Sequence, residues 1–428
     1  MLRLTGGRLV SPNEDLDRID DLLISGESIV AIGDAARAAD AEELDCAGCI
    51  VAPGFVDLAS DFADPGAQWR EDLFSGSQAA AAGGFTTVVI SPRTDPVIDD
   101  PSVVAELMSR AVHAPGARVE IAGALTSGLR GDALAEMGLL VEAGCVALSD
   151  GGTLISDTQV LRRALQYAAR LNVPVLLRPG EVNLESGGMM HEGRISTRIG
   201  LRGIPAAAEE IGTATAIALA RQTGAKVHLT HLTTAASWRL VARAQAEGLA
   251  ISAAVPGRSL VLTDEAVETS MYDTATRVMP PLRPEADRAA MTAAAGVGLC
   301  VGADHVPWTR VEKEQEYRFA LSGAVGLETA ASAAFQQIGD VRRFVMAMSV
   351  LPSAVLGRMA TLGSGLADVV VFDPQASWPV SGPWQSKSAN EPLVGHRLQG
   401  RVRYTLVGGE RVYTEVYTEV YTEGSTQG

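Results

Sequence analysis

Carboxylates crowd one short segment of the sequence, residues 51–66, which reads VAPGFVDLASDFADPG. An apolar run in this segment ends at Asp57 and the chain breaks at Pro65-Gly66, a pattern that predicts a buried β-strand running into a loop. Asp57, Ala59 and Asp61 share one face of such a strand, because successive side chains alternate between its two faces. In a (β/α)8 barrel the active-site residues lie at this end of the strands, so we look here first for acid–base or metal-binding chemistry.

The elements that would position these residues alternate between strand and helix over residues 53–360. This alternation has the spacing of βα units and predicts a TIM-type (β/α)8 barrel in the α/β class. The predicted strands after the first are Thr86–Ser91, Arg118–Ala124, Ala147–Ser149, Val173–Leu177, Val227–Thr230, Leu249–Val255 and Leu299–Ala303. The principal predicted helices are Asp100–Val112, Asp157–Leu171, Ala206–Thr223 and Ala235–Glu247.

The two ends of the chain carry a different pattern, in which short strands are divided by turns. Residues 1–52 and 361–413 both show it, and we interpret them as one small composite β-sandwich domain flanking the barrel. Beyond them, residues 414–428 contain repeats of the sequence VYTE. Because Val, Tyr and Thr favour β structure, the repeats could extend an edge strand. We instead expect a terminal tail with no chemical role.

Composition excludes several classes of partner. The net charge of −16 and the pI of about 4.9 argue against nucleic acid or an anionic membrane, either of which would need a basic face. No apolar run is long enough to span a membrane, and no secretory leader is evident. The chain has four cysteines; the pair Cys46 and Cys49 lacks a second pair for a zinc site, so we interpret it as incidental rather than redox-active. The default prediction is a reducing, cytoplasmic location.

The segment 51–66 resembles the first barrel strand of the amidohydrolase superfamily, and most closely the dihydroorotase family. That family has D-x-H-x-H-x-R-x-P-G here, in which the two histidines bind a metal and the arginine binds the substrate carboxylate. The corresponding positions in this chain are Asp57, Ala59, Asp61, Ala63, Pro65 and Gly66. The frame of the motif is intact, but both histidines and the arginine are replaced.

Three further family motifs are altered in the same selective way. The asparagine of P-N-T-D-P, which holds the substrate in the family, is Arg93. The motif D-D-G, which contains a metal-bridging carboxylate, keeps only Asp150. The metal-binding histidine of V-P-x-x-x-H-x-E is Arg178, and the glutamate that follows it, Glu181, comes one position late. A guanidinium at a ligand position argues against a metal there and could itself neutralise the carboxylates that are left.

Two family motifs survive in part. His231 ends the matching H-x-x-H and is the equivalent of a metal ligand, and Asp304, in Ala303-Asp304-His305, is the equivalent of the general base. Other positions near them are replaced: a further histidine by Trp308, an asparagine by Met279, and an H-H pair by Gly257-Arg258. We expect no bound metal, with Asp61, Asp150, His231 and Asp304 as the residual candidate ligands. For His231 we expect a structural hydrogen bond to Asp304 or to the Asp150 loop rather than metal binding.

The family frame with a degraded site implies a non-catalytic dihydroorotase-like protein of pyrimidine biosynthesis. Within the family, similar chains without the metal site act as structural partners of aspartate carbamoyltransferase. The resemblance therefore implies that enzyme as the partner, and a homo- or hetero-oligomeric assembly.

Two other hypotheses stay open. The first is an active dihydroorotase, converting dihydroorotate to N-carbamoyl-L-aspartate, or a related cyclic-amide hydrolase. It would use zinc on a reduced site, with Asp304 as the base and with Arg93, Arg178 and His305 as substrate contacts. The second is a binding module that holds a small anion between Arg93 and Arg178 without chemistry.

Overall fold

The computed structural model describes residues 1–415, and the later VYTE repeats lie outside that range. Its central feature is a nearly closed barrel of eight strands, in which each strand pairs in parallel with the next strand of the barrel along the chain. From first to eighth, the barrel strands are Phe55–Ser60, Phe85–Ile90, Arg118–Ala124, Ala147–Ser149, Val175–Leu177, Val227–Leu229, Ile251–Pro256 and Leu299–Gly302. Their apolar side chains are buried almost throughout, as expected for parallel strands covered by helices. The predicted barrel is confirmed.

Asp57 links the two edges of the barrel. Its Oδ1 accepts a hydrogen bond of 2.7 Å from the backbone N–H of Ala303, just past the eighth strand. Its Oδ2 accepts 2.7 Å from the hydroxyl of Ser60. A second link follows at the mouth, where the Asp61 N–H donates to the carbonyl of His305 at 2.8 Å. This carboxylate of the first strand is therefore used to close the barrel.

Helices form the outer layer and the connections. Helix Thr158–Leu171 shows why they form where they do: Asp157 caps its first turn through the N–H groups of Gln159 and Val160, and Asn172 ends it in the left-handed conformation. The other α-helices are Asp34–Arg37, Leu73–Ala82, Pro101–Ala111, Met137–Glu142, Val182–Glu185, Arg194–Ile199, Ala206–Thr223, Ala235–Ala246, Ala266–Thr269, Glu285–Ala294, Arg310–Lys313, Ala330–Ile338, Val341–Val345 and Leu351–Val355. Shorter helical turns are Pro12–Glu14, Ser127–Leu129, Gly257–Leu260, Thr274–Thr276 and Met346–Val350.

The chain ends form a separate sheet, as predicted. Within residues 1–415 it has nine strands: Leu2–Ser11, Leu16–Ser25, Ser28–Ile32, Glu42–Asp45, Ile50–Pro53, Gly365–Leu366, Val369–Pro379, Arg397–Val407 and Glu410–Thr414. An ion pair of 2.7 Å between Arg118 and Asp368 ties this sheet to the barrel. A two-stranded ribbon, Met190–His191 with Gly203–Ile204, is separate from both.

Two details differ from the sequence prediction. The turn residue Gly6 predicts two short strands, Leu2–Thr5 and Gly7–Val10, but Leu2–Ser11 is one strand with an irregularity between Leu4 and Gly7. The first VYTE repeat is not a free tail, because Thr414 ends a strand and the buried carboxylate of Glu415 pairs with Arg401 at 2.8 Å. The structure therefore favours an edge strand for this repeat, and the tail predicted for the later repeats falls outside the described residues. Over residues 1–415, no helix combines the length and the apolar character needed to cross a membrane.

Candidate functional site

A cavity of about 260 Å³ lies at the C-terminal ends of the barrel strands. Five of the predicted site residues line it: Asp61, Arg93, Arg178, His231 and Asp304. Other polar groups at its wall are Ser91, Ser149, Thr230 and Ser322, and its apolar wall includes Leu58, Ala59, Ala122, Leu176, Met279 and Val306. Asp150 and His305 are not among the lining residues. The residues at the family's active-site positions therefore line a concave site.

His231 and Asp304 lie next to each other in the wall of this cavity. Both residues have positive φ angles, 58° and 47°, a left-handed conformation that is uncommon outside glycine and that clusters at functional sites. The His231 Nε2 lies 3.2 Å from the Asp304 Oδ1, but the approach lacks hydrogen-bond geometry and leaves this nitrogen without a partner in the described structure. The predicted structural contact of His231 is therefore a close approach to Asp304 rather than a hydrogen bond.

Arg258 holds the other side of the Asp304 carboxylate. It lies in the helical turn Gly257–Leu260, directly after the seventh strand. One Nη donates both to the Asp304 Oδ2 and to the Asp304 carbonyl oxygen at 2.7 Å, and the other Nη donates to the Ala303 carbonyl oxygen at 3.1 Å. The side chains of this pair are only 2% and 4% exposed. Asp304 is thus a buried, ion-paired carboxylate.

His228, three residues before His231, fills the interior of the barrel. Its Nδ1 hydrogen-bonds the Ser252 hydroxyl at 2.8 Å, and its Nε2 is buried without a partner in residues 1–415. Burial, with a smaller contribution from His231, lowers the pKa of His228 to about 3. This histidine is therefore neutral at physiological pH.

On the first-strand side of the cavity, the carboxylate of Asp61 is bound by a hydroxyl and an exposed guanidinium. Asp61 accepts from the Ser91 hydroxyl and from the Arg93 guanidinium, and Ala59 contributes only a methyl group. The side chains of Arg93 and Asp61 are 44% and 14% exposed. The Arg93 guanidinium therefore carries an ion pair and still meets solvent.

Asp150 is bound by its own loops. Its Oδ1 accepts from the N–H groups of Leu125 and Thr126 at 3.0 and 2.9 Å, and its Oδ2 accepts from the Thr126 hydroxyl at 2.6 Å. Burial raises the pKa of Asp150 above its usual range, although the Thr126 hydrogen bonds oppose the shift. Its carboxylate is satisfied by donors that hold the loops after the third and fourth strands together.

Arg178 forms a two-pronged ion pair with Glu185. Both Nη–Oε distances are 2.9 Å, and the Nε donates to the Gly152 carbonyl oxygen at 3.0 Å. Glu181, which stands near the family's glutamate, instead caps helix Val182–Glu185 through the N–H of Leu184. The guanidinium thus joins two mouth loops and is neutralised by a residue from its own loop.

His305 belongs to a buried network behind the cavity. Its Nε2 lies 3.2 Å from the Glu71 Oε2, and Glu71 also accepts from the Ser386 hydroxyl. Both ring and carboxylate are nearly inaccessible to solvent, at 1% and 0%. Nearby, Trp308 stacks against Arg70, with the guanidinium carbon 4.4 Å from the ring centroid. His305 is therefore part of a buried network and does not line the cavity.

A zinc ion would need imidazole, thiolate or carboxylate side chains around the cavity that are free to bind it. Of the four residual candidates, Asp61 is paired with Arg93, Asp150 with loop donors and Asp304 with Arg258, while the guanidinium of Arg178 lines the same cavity. Residues 1–415 contain no group of three His, Cys, Asp or Glu side chains placed to hold a metal ion. The residues present do not fit a zinc site.

The four cysteines offer no replacement ligands. All are unpaired and buried, and burial raises the pKa of Cys46, Cys145 and Cys300 to about 12. Such thiols are inert as nucleophiles and poor as metal ligands.

Sequence reasoning missed three residues that shape the site: Arg258 as the partner of Asp304, Glu185 as the partner of Arg178, and Glu71 as the partner of His305. Arg258 carried a signal, since it occupies part of a replaced family motif. Glu185 and Glu71 carried none, because their partners lie 7 and 234 residues away with no periodic relation.

Comparisons with known proteins agree with the fold and the motifs. Residues 48–237 match the family model described as dihydro-orotase-like. A dihydroorotase of Citrifermentans bemidjiense is 38% identical over 422 residues, which cover 96% of this chain and 99% of that protein. A dihydroorotase of Pelotomaculum thermopropionicum is 40% identical over 422 residues, with coverages of 96% and 98%.

Solved structures show the same fold at lower identity. A dihydropyrimidinase from Brevibacillus agri superposes with a TM-score of 0.82 at 24% identity, covering 96% of this chain and 95% of that one. The L-hydantoinase of Arthrobacter aurescens gives 0.84 at 20% identity, with 97% of both chains covered. The barrel, the separate sheet of the chain ends, the partial motifs and the full-length relatives lead to one conclusion: this chain belongs to the dihydroorotase family of amidohydrolases.

Proposed function

We propose that this chain is a dihydroorotase-family protein of pyrimidine metabolism that does not hydrolyse dihydroorotate through a bound metal. One observation carries the proposal: every carboxylate that could serve the site is already bound by donors of the protein itself, two of them by guanidinium groups. Metal-assisted hydrolysis requires carboxylates and imidazoles free to ligate and a base free to accept a proton. Asp304 is not free in this sense, since Arg258 holds its Oδ2 and its backbone carbonyl.

The proposed role is that of a structural partner of aspartate carbamoyltransferase, the enzyme that acts before dihydroorotase. The support for it is the family frame, which is kept over the whole chain although the site is altered. Purified chain is expected to co-elute in size-exclusion chromatography with the aspartate carbamoyltransferase of its own organism. If the two elute separately and the transferase is fully assembled and active alone, the scaffold role is wrong.

The second candidate is an active dihydroorotase, and the names of the relatives favour it. All eight full-length relatives compared, at 36–40% identity, are called dihydroorotase. In this case Asp304 would accept the proton of the attacking water and return it to the leaving amide nitrogen, and the half-exposed Arg93 would bind the carboxylate of the substrate. Arg258 would have to release the Asp304 Oδ2 for this to happen.

One experiment separates the two candidates. Dihydroorotate hydrolysis and the reverse cyclisation are measured on protein supplemented with zinc, and the bound metal is counted in the same sample. We expect no turnover above the buffer rate and no stoichiometric metal. Turnover that is lost in the Asp304→Asn variant, and kept in a matched variant of an exposed carboxylate in the chain-end segment, such as Asp40→Asn, would establish the enzyme instead.

A further inference from the structure

Arg258 occupies an unusual environment for a cation. Its side chain is 2% exposed, and it lies against the carbonyl groups of Ala303 and Asp304, just past the eighth strand, rather than at the surface. Gly326 permits this, because a Cβ at that position would come within 3.2 Å of the Arg258 Nη1 and 2.2 Å of the Ala303 carbonyl oxygen. The site is therefore shaped to admit a planar guanidinium against the backbone.

The energetic reason for this arrangement is the Asp304 carboxylate. A buried carboxylate is strongly unfavourable unless an opposite charge and hydrogen-bond donors compensate it. The backbone of Asp304 also has a φ of 47°, which costs free energy for a residue other than glycine. Arg258 meets both needs, because its fork of N–H groups reaches the carboxylate and the two carbonyl groups that flank it.

Other cations near this site are engaged elsewhere. Lys313 is buried and donates to the carbonyl groups of Leu321 and Gly323, at 2.9 Å in each case. His231 approaches Asp304 without a hydrogen bond. Among the described residues, Arg258 is thus the cation that hydrogen-bonds to the Asp304 carboxylate.

We propose that Arg258 is the built-in counter-cation of the barrel mouth: its guanidinium supplies the positive charge for Asp304 and fixes the left-handed end of the eighth strand, so that the mouth is stable without a metal ion. This inference rests on the proposed loss of the metal site. It makes Arg258 a positioning residue, acting through Asp304, rather than a residue that touches a substrate.

A double-mutant comparison of thermal midpoints tests the pairing. Arg258→Met leaves a buried carboxylate uncompensated, and we expect its midpoint to fall by about 3–6 °C. Asp304→Asn keeps an amide oxygen for Arg258 and should fall less. The double variant Arg258→Met/Asp304→Asn should be more stable than Arg258→Met alone, because the unpaired charge is gone. A double variant no more stable than Arg258→Met would overturn the proposal.

If Arg258→Met fails to fold, a variant that keeps the positive charge can be measured instead. Arg258→Lys retains the cation but loses the fork, so its midpoint should lie between those of the wild type and the double variant, in soluble protein. If Arg258→Lys and the double variant are both insoluble while Asp304→Asn folds, the cation is not what the mouth requires and the proposal is wrong.

The effect of zinc on the thermal midpoint distinguishes a charge role of Arg258 from a purely steric one. Added zinc at about 1 mM, compared with EDTA, should leave the wild-type midpoint unchanged and raise that of Arg258→Met, because the freed Asp304 lies 3.2 Å from His231 and can share a dication with it. An equal response of the two proteins overturns the proposal. The hydrolysis assay tests the proposed function separately. If the effects of the two substitutions on the thermal midpoint are simply additive, the role of Arg258 is wrong, but the result of the hydrolysis assay is unaffected.

Discussion

The two sides of the barrel mouth satisfy their charges in different ways. On the side of the sixth to eighth strands, His228, Arg258 and Asp304 are each no more than about 4% exposed, and each contacts a residue that lies on, or just after, a neighbouring strand. On the side of the first to fifth strands, the ion pairs of Arg93 and Arg178 are formed within or between neighbouring loops, and their side chains are 44% and 10% exposed.

This difference indicates where the mouth tolerates change. A buried charge whose partner follows the neighbouring strand holds two barrel strands together, whereas a loop ion pair that meets water contributes little to stability. The partial family motifs lie on the buried side, and most replaced ligand positions lie on the loop side. Three further experiments test this difference between the two sides.

The largest effect is expected from acid. The pKa of His228 is about 3 in the folded protein and about 6.5 in an unfolded chain, so the unfolded state binds more protons between these values. Stability therefore rises with pH over this window and is lost as the pH falls from 6.5 towards 3, by on the order of a few kcal/mol. Urea unfolding at a series of pH values measures the slope. His228→Asn should flatten it, and the exposed His113→Asn is the control; an unchanged slope in His228→Asn would show that other groups govern acid stability.

An intermediate effect is expected from Arg178→Met. The variant leaves Glu185, whose side chain is 12% exposed, without its two-pronged partner and frees the Gly152 carbonyl. We expect a loss of about 1–3 kcal/mol in the free energy of unfolding, measured by urea titration at pH 7. The control is Arg163→Met on the exposed face of helix Thr158–Leu171, which should change little. If Arg178→Met loses no more free energy of unfolding than Arg163→Met, this ion pair contributes as little to stability as a solvent-exposed one, and the prediction is wrong.

The smallest effect is expected from Arg93→Ala. Its ion pair with Asp61 is half-exposed on the arginine side, so the loss should be below about 1 kcal/mol and should shrink further in about 0.5 M NaCl. The same urea titration at low and high salt measures it. A salt-independent loss as large as that of Arg178→Met would remove the distinction between the two sides of the mouth.

Several parts of the fold could be predicted because they depend on local patterns. The apolar runs at Phe85–Ile90 and Arg118–Ala124, and the capped helix at Thr158–Leu171, carry their structure in the order of their own residues. The grouping of Asp61, Arg178, His231 and Asp304 around one cavity was also predictable, because the C-terminal ends of barrel strands meet at one face. The partners of these side chains were not, since a charged residue has no periodic signature of the group that it contacts.

By itself the sequence determined the barrel, the separate sheet of the chain ends, and the replacement of family motif residues, two metal-binding histidines at Ala59 and Arg178 and the substrate-binding arginine at Ala63. Only the tertiary structure decided what the remaining groups do: Asp57 closes the barrel against Ala303, His305 serves a buried network with Glu71, and Arg258 compensates Asp304. The physical reason is that secondary structure follows from neighbours along the chain, whereas the state of a buried charge is set by groups from distant segments that share its low-dielectric surroundings.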